Sequence, residues 1–373
     1  MTPARRPVAV SAPGKLILMG EHAVVYGRPA LVAAVDLRLT ARLSPLPGDT
    51  VRLDLPGLAH GEETSWQALA AYARAARERW SRYAREPRPE GFRAVRGEDP
   101  AHVVKAALGE AAAALARGGP LGRLGGIALR VESQLPIGSG FGSSAAAATA
   151  VIAACLALFA PEGSAGIDRA ELARLALEVE RRQHGLPSGV DGATILEGGV
   201  LWAQRSTAGP DGGLAIEPIA VRSTLLDRLR VYDTGTPAEA TGAVVAAVRA
   251  LYDREPARID ALLDRMAAAT SAFRAGLERV KEDPDCALHL IREHEACLEG
   301  LGVVPEAVRA VVRRVEAMGG AAKISGAGSL AGPGAGSLLV YHPEPQRIAG
   351  WPFLRSFPFY SVYLGAPGLH QEV

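Results

Sequence analysis

Between Leu37 and Leu43 the chain alternates strictly. Leu37, Leu39, Ala41 and Leu43 are apolar, while Arg38, Thr40 and Arg42 are polar. Val51, Leu53 and Leu55 alternate likewise, and Ile127, Leu129 and Val131 alternate with Ala128, Arg130 and Glu132. A period of two places successive side chains on opposite faces, so these runs predict half-buried strands. Longer stretches predict helices over 65–84, 101–117 and 145–160, the last rich in small apolar residues. The charged, proline-bearing stretch 86–100 separates the first two as a solvated surface loop. A further helix is predicted over Arg169–His184, where Asp168 and Glu171 stand at capping-box spacing. Strands are predicted over 198–202, 214–221 and 229–233. Thr236, Pro237 and Glu239 then open a helix, with proline at its favoured first position. Helices continue to about Met318. The remainder alternates: a strand over 321–325, a glycine loop, a strand over 337–341, a short helix and a strand over 360–364.

This order predicts an α+β protein whose tail is ferredoxin-like, with a domain boundary near residue 222. The expected domains are 1–222 and 223–373. A chain of 373 residues, 48% hydrophobic, can build a core of that extent. Its net charge of +1 exerts no pull on nucleic acid or an anionic membrane. The apolar run 145–160 falls short of the ~20 residues needed to cross a bilayer. Residues 1–11 lack the hydrophobic core of a signal peptide. Cys155, Cys286 and Cys297 form no disulfide framework and fit a reducing cytoplasm. Cys286, His289, His294 and Cys297 fall close together, but on one predicted helix. A rigid helix cannot wrap four ligands around one zinc ion, so they are expected to be helix-face residues.

The chemistry concentrates in glycine-rich segments. Pro136-Ile-Gly-Ser-Gly-Phe-Gly-Ser-Ser-Ala145 lies between a predicted strand and a predicted helix. Glycine admits a ligand close to the backbone, and the first helical N–H groups point at it, so phosphate is the expected ligand. The spacing is neither that of a Walker loop nor that of a dinucleotide fingerprint. On the residues alone, a tight strand-to-helix connection remains an alternative. A second such segment is Ser11-Ala-Pro-Gly-Lys-Leu-Ile-Leu-Met-Gly-Glu-His-Ala-Val-Val-Tyr-Gly27, and a third runs from Lys323 to Ser337. Only four lysines occur, and Lys15 and Lys323 lie in two of these segments.

In chain order Ser11–Gly27 is the first glycine loop, Pro136–Ala145 the second and Lys323–Ser337 the third, and three such motifs in that order resemble the GHMP kinases, a family of small-molecule kinases. The resemblance spans nearly the whole chain. It implies a two-domain fold, an N-terminal ribosomal-protein-S5-like domain and a C-terminal ferredoxin-like one, acting with ATP and Mg2+. Gly20-Glu-His-Ala-Val-Val-Tyr-Gly27 and Pro187-Ser-Gly-Val-Asp191 resemble the mevalonate branch of the family, and so does the segment from His294 to Val303. This implies mevalonate as acceptor and no nucleic-acid or membrane partner, and it leaves a homodimer open. It implies Asp191 as general base and Lys15 beside it. Glu21, His22 and, less securely, Thr241 would line the acceptor pocket. Pro136, Gly138, Ser139, Gly140, Gly142, Ser143 and Ser144 would hold the nucleotide, helped by Ser325, Gly326, Ala327 and Gly328 of the third loop. Ser144 and Glu180 would hold the metal. On the residues alone other roles stay open: a turn aspartate at 191, an arginine-paired Glu180, a surface Lys15 and a structural His22. The third loop departs from the family's glycine run, since Leu330 and Pro333 interrupt it. This leaves a phosphomevalonate kinase, a sugar kinase or a non-catalytic sensor as alternatives.

Overall fold

The computed structural model describes residues 5–87, 91, 94–95, 97–116, 121, 124–160, 168–206, 213–281 and 283–372. Residues 1–4, parts of the predicted loop 86–100 and Arg117 at the end of a predicted helix lie outside them.

Two long strands, β1 (Val8–Met19) and β2 (Pro29–Leu46), form the backbone of the first sheet and pair antiparallel from Val8↔Leu43 to Met19↔Leu31. Beyond them lie β3 (Thr50–Leu55), β4 (His60–Ser65), β5 (Gly126–Ser133), β6 (Val200–Arg205) and β7 (Leu214–Pro218). The two halves of β2 have different neighbours: Leu39–Leu46 pair with β5, and Pro29–Ala33 pair with β6. β3 lies parallel to β5, and β4 and β7 are edges.

Of the helices α1 (Trp66–Arg85), α2 (His102–Leu115), α3 (Ser143–Phe159) and α4 (Arg169–His184), α3 packs on β1 and β2, α2 and α4 pack on α3, and α1 packs on α2. Ser65 caps α1 by accepting from Ala68 N, and Asp168 caps α4 by accepting from Ala170 N and Glu171 N. Each cap contributes about 1 kcal/mol. α3 is apolar on nearly every face and is buried accordingly, from Ala145 to Phe159. Each fully buried Val or Leu against it adds about 1.5–3 kcal/mol. A short α5 (Val190–Glu197) leads into β6.

The second sheet holds β8 (Leu229–Asp233), β9 (Ala321–Ser325), β10 (Ser337–Tyr341) and β11 (Phe359–Tyr360). Its spatial order is β11-β8-β10-β9, the fourth, first, third and second strands in chain order. That is the ferredoxin-like arrangement. Between β8 and β9 come α6 (Thr241–Arg254), α7 (Pro256–Glu278), α8 (Pro284–Gly300) and α9 (Glu306–Ala317).

Several expectations need correction. The strand expected over 360–364 is split: Phe359–Tyr360 joins the second sheet, whereas Leu364 bridges to Val35 of the first. Residues beyond it stay with the first sheet, ending in β12 (His370–Gln371) beside β1. Arg38 fixes this return by donating to the carbonyls of Pro367 and Gly368. The helix expected from Thr236 starts only at Thr241. Upstream, Ala238 N is taken by the Ser329 hydroxyl and Gly235 N by Asp233, which holds 234–240 outside the helix. Lys15 lies in mid-strand rather than at a strand end, because β1 absorbs Pro13-Gly14 as a register shift.

Candidate active site

The glycine motifs meet between the two sheets. The Lys15 backbone N–H donates to the carbonyl of Phe141 at 2.9 Å, tying β1 to the second glycine loop. In that loop Gly138, Gly140 and Gly142 all hold positive φ, from +74° to +84°. Gly142 is the N-cap of α3, and no side chain caps the helix. The first N–H groups of a buried 17-residue helix therefore lack a capping side chain, where an anion is most favoured.

Asp191 lies in the first turn of α5, which left-handed Gly189 (φ +81°) caps. Its Oδ1 is 3.1 Å from Lys15 Nζ. The Lys15 side chain is 5% exposed and that of Asp191 28% exposed, and both line the cavity, the carboxylate being the more open of the two. Glu180 projects from α4 and is 3% exposed. A side chain at Gly192 would place its Cβ 2.5 Å from Glu180 Oε1, so glycine is needed there. That oxygen has no hydrogen-bond partner among the described residues. Burial and the nearby Asp191 push Glu180 up to about 8, with the Gly192 backbone N–H and then Lys15 acting against them. Lys15 thus pairs with Asp191 and not with Glu180, and a buried Glu180 oxygen is left without a hydrogen bond. A hard divalent cation meets that need, and the Ser144 hydroxyl lines the same cavity. The residues fit Mg2+, which Glu180 and Ser144 would hold.

Of the other expected residues, His22, Gly138, Gly140, Gly142, Ser143 and Thr241 line this cavity. So do Gly326 and Ala327 of the third loop. His22 Nε2 sits 2.9 Å from the Ala327 carbonyl. A carbonyl only accepts, so Nε2 carries the proton. Burial holds the ring below its usual pKa and hence neutral. Its φ of +58° is uncommon for a residue with a side chain, and such strain clusters at functional sites.

The rest lie elsewhere. Glu21 is buried against Lys323 and lies 3.6 Å from His294 instead of lining the cavity. Ser139 donates its hydroxyl to Asp233. Pro136 is outside the cavity lining, Ser325 donates its hydroxyl to the Ile17 carbonyl, and Gly328 packs on Val303. The suspected zinc residues divide along a continuous α8: Cys286 is exposed, while His294 and Cys297 are buried. Sequence reasoning gave no role to Ile17, Val24, Val25, His184, Leu186 and Val245, which also line the cavity. A signal existed for His184, which stands one helical turn beyond Glu180 on the same face.

Residues 102–199 match the family described as "GHMP kinases N terminal domain". The mevalonate kinase of Thermococcus sibiricus is 30% identical over 351 residues, covering 91% of this chain and 90% of its own. The chain belongs to the GHMP kinase family. Within that family the mevalonate kinase of Bos taurus is 29% identical, covering 96% of this chain and 93% of its own. The family fold recurs in the crystal structure of L. major mevalonate kinase in complex with R-mevalonate. Its TM-score is 0.66 at 22% identity, covering 96% of this chain and 95% of that one. Among the described residues no helix is long and apolar enough to cross a membrane.

Proposed function

We infer that this kinase transfers the γ-phosphoryl group of ATP to the C5 hydroxyl of mevalonate. One observation carries the reading: the Lys15–Asp191 pair and the unpaired Glu180 oxygen face one cavity with two glycine loops. Phosphoryl transfer requires mostly positioning and charge neutralisation, and these residues supply both. Asp191 takes the hydroxyl proton as the new O–P bond forms and the bond to the ADP oxygen breaks. Lys15, 3.1 Å from Asp191, steadies that carboxylate in place and offsets charge that develops on the phosphoryl oxygens. Mg2+, held by Glu180 and Ser144, would neutralise the phosphates.

Two cavities support the assignment of substrates. A second cavity shares Ser143 and Ser144 with the first and is walled by Leu39, Leu55, Val104 and Val131, as suits a planar base. On the acceptor side, Ile17, Val24, Val25 and Val245 form an apolar wall. Such a wall favours a short branched aliphatic acid over a sugar, whose hydroxyls would be left unpaired there. The reading includes a reducing, cytoplasmic setting, which three free cysteines suit.

The test is ADP release with mevalonate, phosphomevalonate and galactose offered separately. Turnover with mevalonate alone is expected. Turnover only with another acceptor moves the protein to a different branch of the family, and turnover with none makes it a sensor.

A further inference from the structure

We infer that Ser139 is a positioning residue whose hydroxyl fastens the second glycine loop to the second sheet through Asp233, and that it does not hold phosphate. The inference rests on the reading that this loop holds ATP. Ser139 Oγ donates to Asp233 Oδ2 at 2.5 Å. A hydroxyl has one proton, so this bond leaves none for a phosphate oxygen. Its remaining lone pairs, backed by a carboxylate, would repel an anion. The other Asp233 oxygen is occupied as well: Oδ1 accepts from Gly235 N at 2.8 Å. Ser139 and Asp233 are only 3% and 9% exposed, so the bond is shielded from water.

The backbone repeats the attachment. The Ser139 carbonyl accepts from both the N–H and the hydroxyl of Ser337, the first residue of β10. A Cβ at Gly140 would lie 2.7 Å from the Ser325 carbonyl, the last of β9. The loop is therefore held against three strands of the second sheet, with the Ser139–Asp233 bond its side-chain hydrogen bond to β8. Asp233 also sets the Gly235 turn, which leads to α6 and so to Thr241 and Val245 of the cavity. One carboxylate thus sets the relative position of the donor and acceptor walls.

A double-mutant cycle on the full chain tests this, with ADP release measured at varied ATP and varied mevalonate. Ser139→Ala and Asp233→Ala are each expected to raise the KM for ATP roughly tenfold, as loss of a charge-assisted hydrogen bond does; the KM for mevalonate stays unchanged in Ser139→Ala, which leaves the Asp233–Gly235 bond intact. The double variant should be no worse than the poorer single one. A merely structural role would lower kcat through the active fraction and move neither KM. Independent losses that multiply, or a KM effect of Ser139→Ala with none from Asp233→Ala, would overturn the inference and return the hydroxyl to the phosphate. If Asp233→Ala does not fold, Asp233→Asn replaces it, keeping the Gly235 bond and losing the acceptor for Ser139. If the unmodified protein turns over no acceptor, the proposed function fails separately. The cycle is then read from titration with a fluorescent ATP analogue, where the same non-additive weakening is expected and its absence overturns the inference.

Discussion

Two lysine–carboxylate pairs, one beside the first sheet and one joining residue 21 to the second sheet, use the same chemistry differently. Lys323 is 1% exposed and pairs with a fully buried Glu21, and its ammonium also donates to the carbonyls of Ile17 and Ile324. All three of its protons are used. Lys15 pairs with Asp191 alone among the described residues, at a carboxylate that faces the cavity. An ammonium has three donors, so Lys15 retains capacity for a ligand and Lys323 retains none. The difference between a fastening and a reacting group lies in donors left over, not in residue type.

The comparison can be broken most forcefully at the open pair. Asp191→Asn should lower kcat by about 10^3-fold while ATP still binds, as loss of a general base does. Normal turnover would remove Asp191 from that role. At the closed pair the loss should be structural. Lys323→Met strands a buried carboxylate and should cost about 3–5 kcal/mol in urea unfolding, whereas Lys323→Met with Glu21→Gln should recover most of it. If the single variant unfolds like the parent, the closed pair fastens nothing.

A further effect concerns pH. Glu295, beside the closed pair, accepts from Ile324 N, and burial pushes its carboxyl up to about 8, against the pull of Lys323. Its ordinary value is 4.5. The folded state therefore favours the protonated form. The stability it adds is complete below about pH 4.5 and is lost as pH rises through about 8. Glu295→Gln should flatten the decline in unfolding free energy across that window, by up to about 5 kcal/mol. An unchanged slope would mean that Glu295 is already ionised. The smallest expected effect is at a site remote from both pairs: Asp168→Ala removes the cap of α4 and should cost about 1 kcal/mol, with kcat unaltered.

The sequence revealed local features well. Strict alternation marked β2, β3 and β5, and the capping residues marked the start of α4. The lysine, aspartate and glutamate of the site carried spacings that a loop and one helix face explain. What it hid was long-range. Nothing near Glu21 announces a lysine 302 residues away. Nothing near Ser139 shows that its one proton is committed to Asp233, 94 residues on. Polar side chains in a glycine loop look alike in sequence whether they face a ligand or the other sheet.

The return of residues 364–371 to the first sheet has a consequence for synthesis. β1, which carries Lys15, leaves the ribosome early, yet its outer edge over Val10 and Ser11 is covered only by Gln371 and His370. Until those residues emerge, the nascent chain carries an open strand edge, a template for pairing with other chains. Translation that stops short of residue 364 would yield both glycine loops and every site residue, but on a sheet with one side unsealed. Completion of the first sheet must wait for the second to be made.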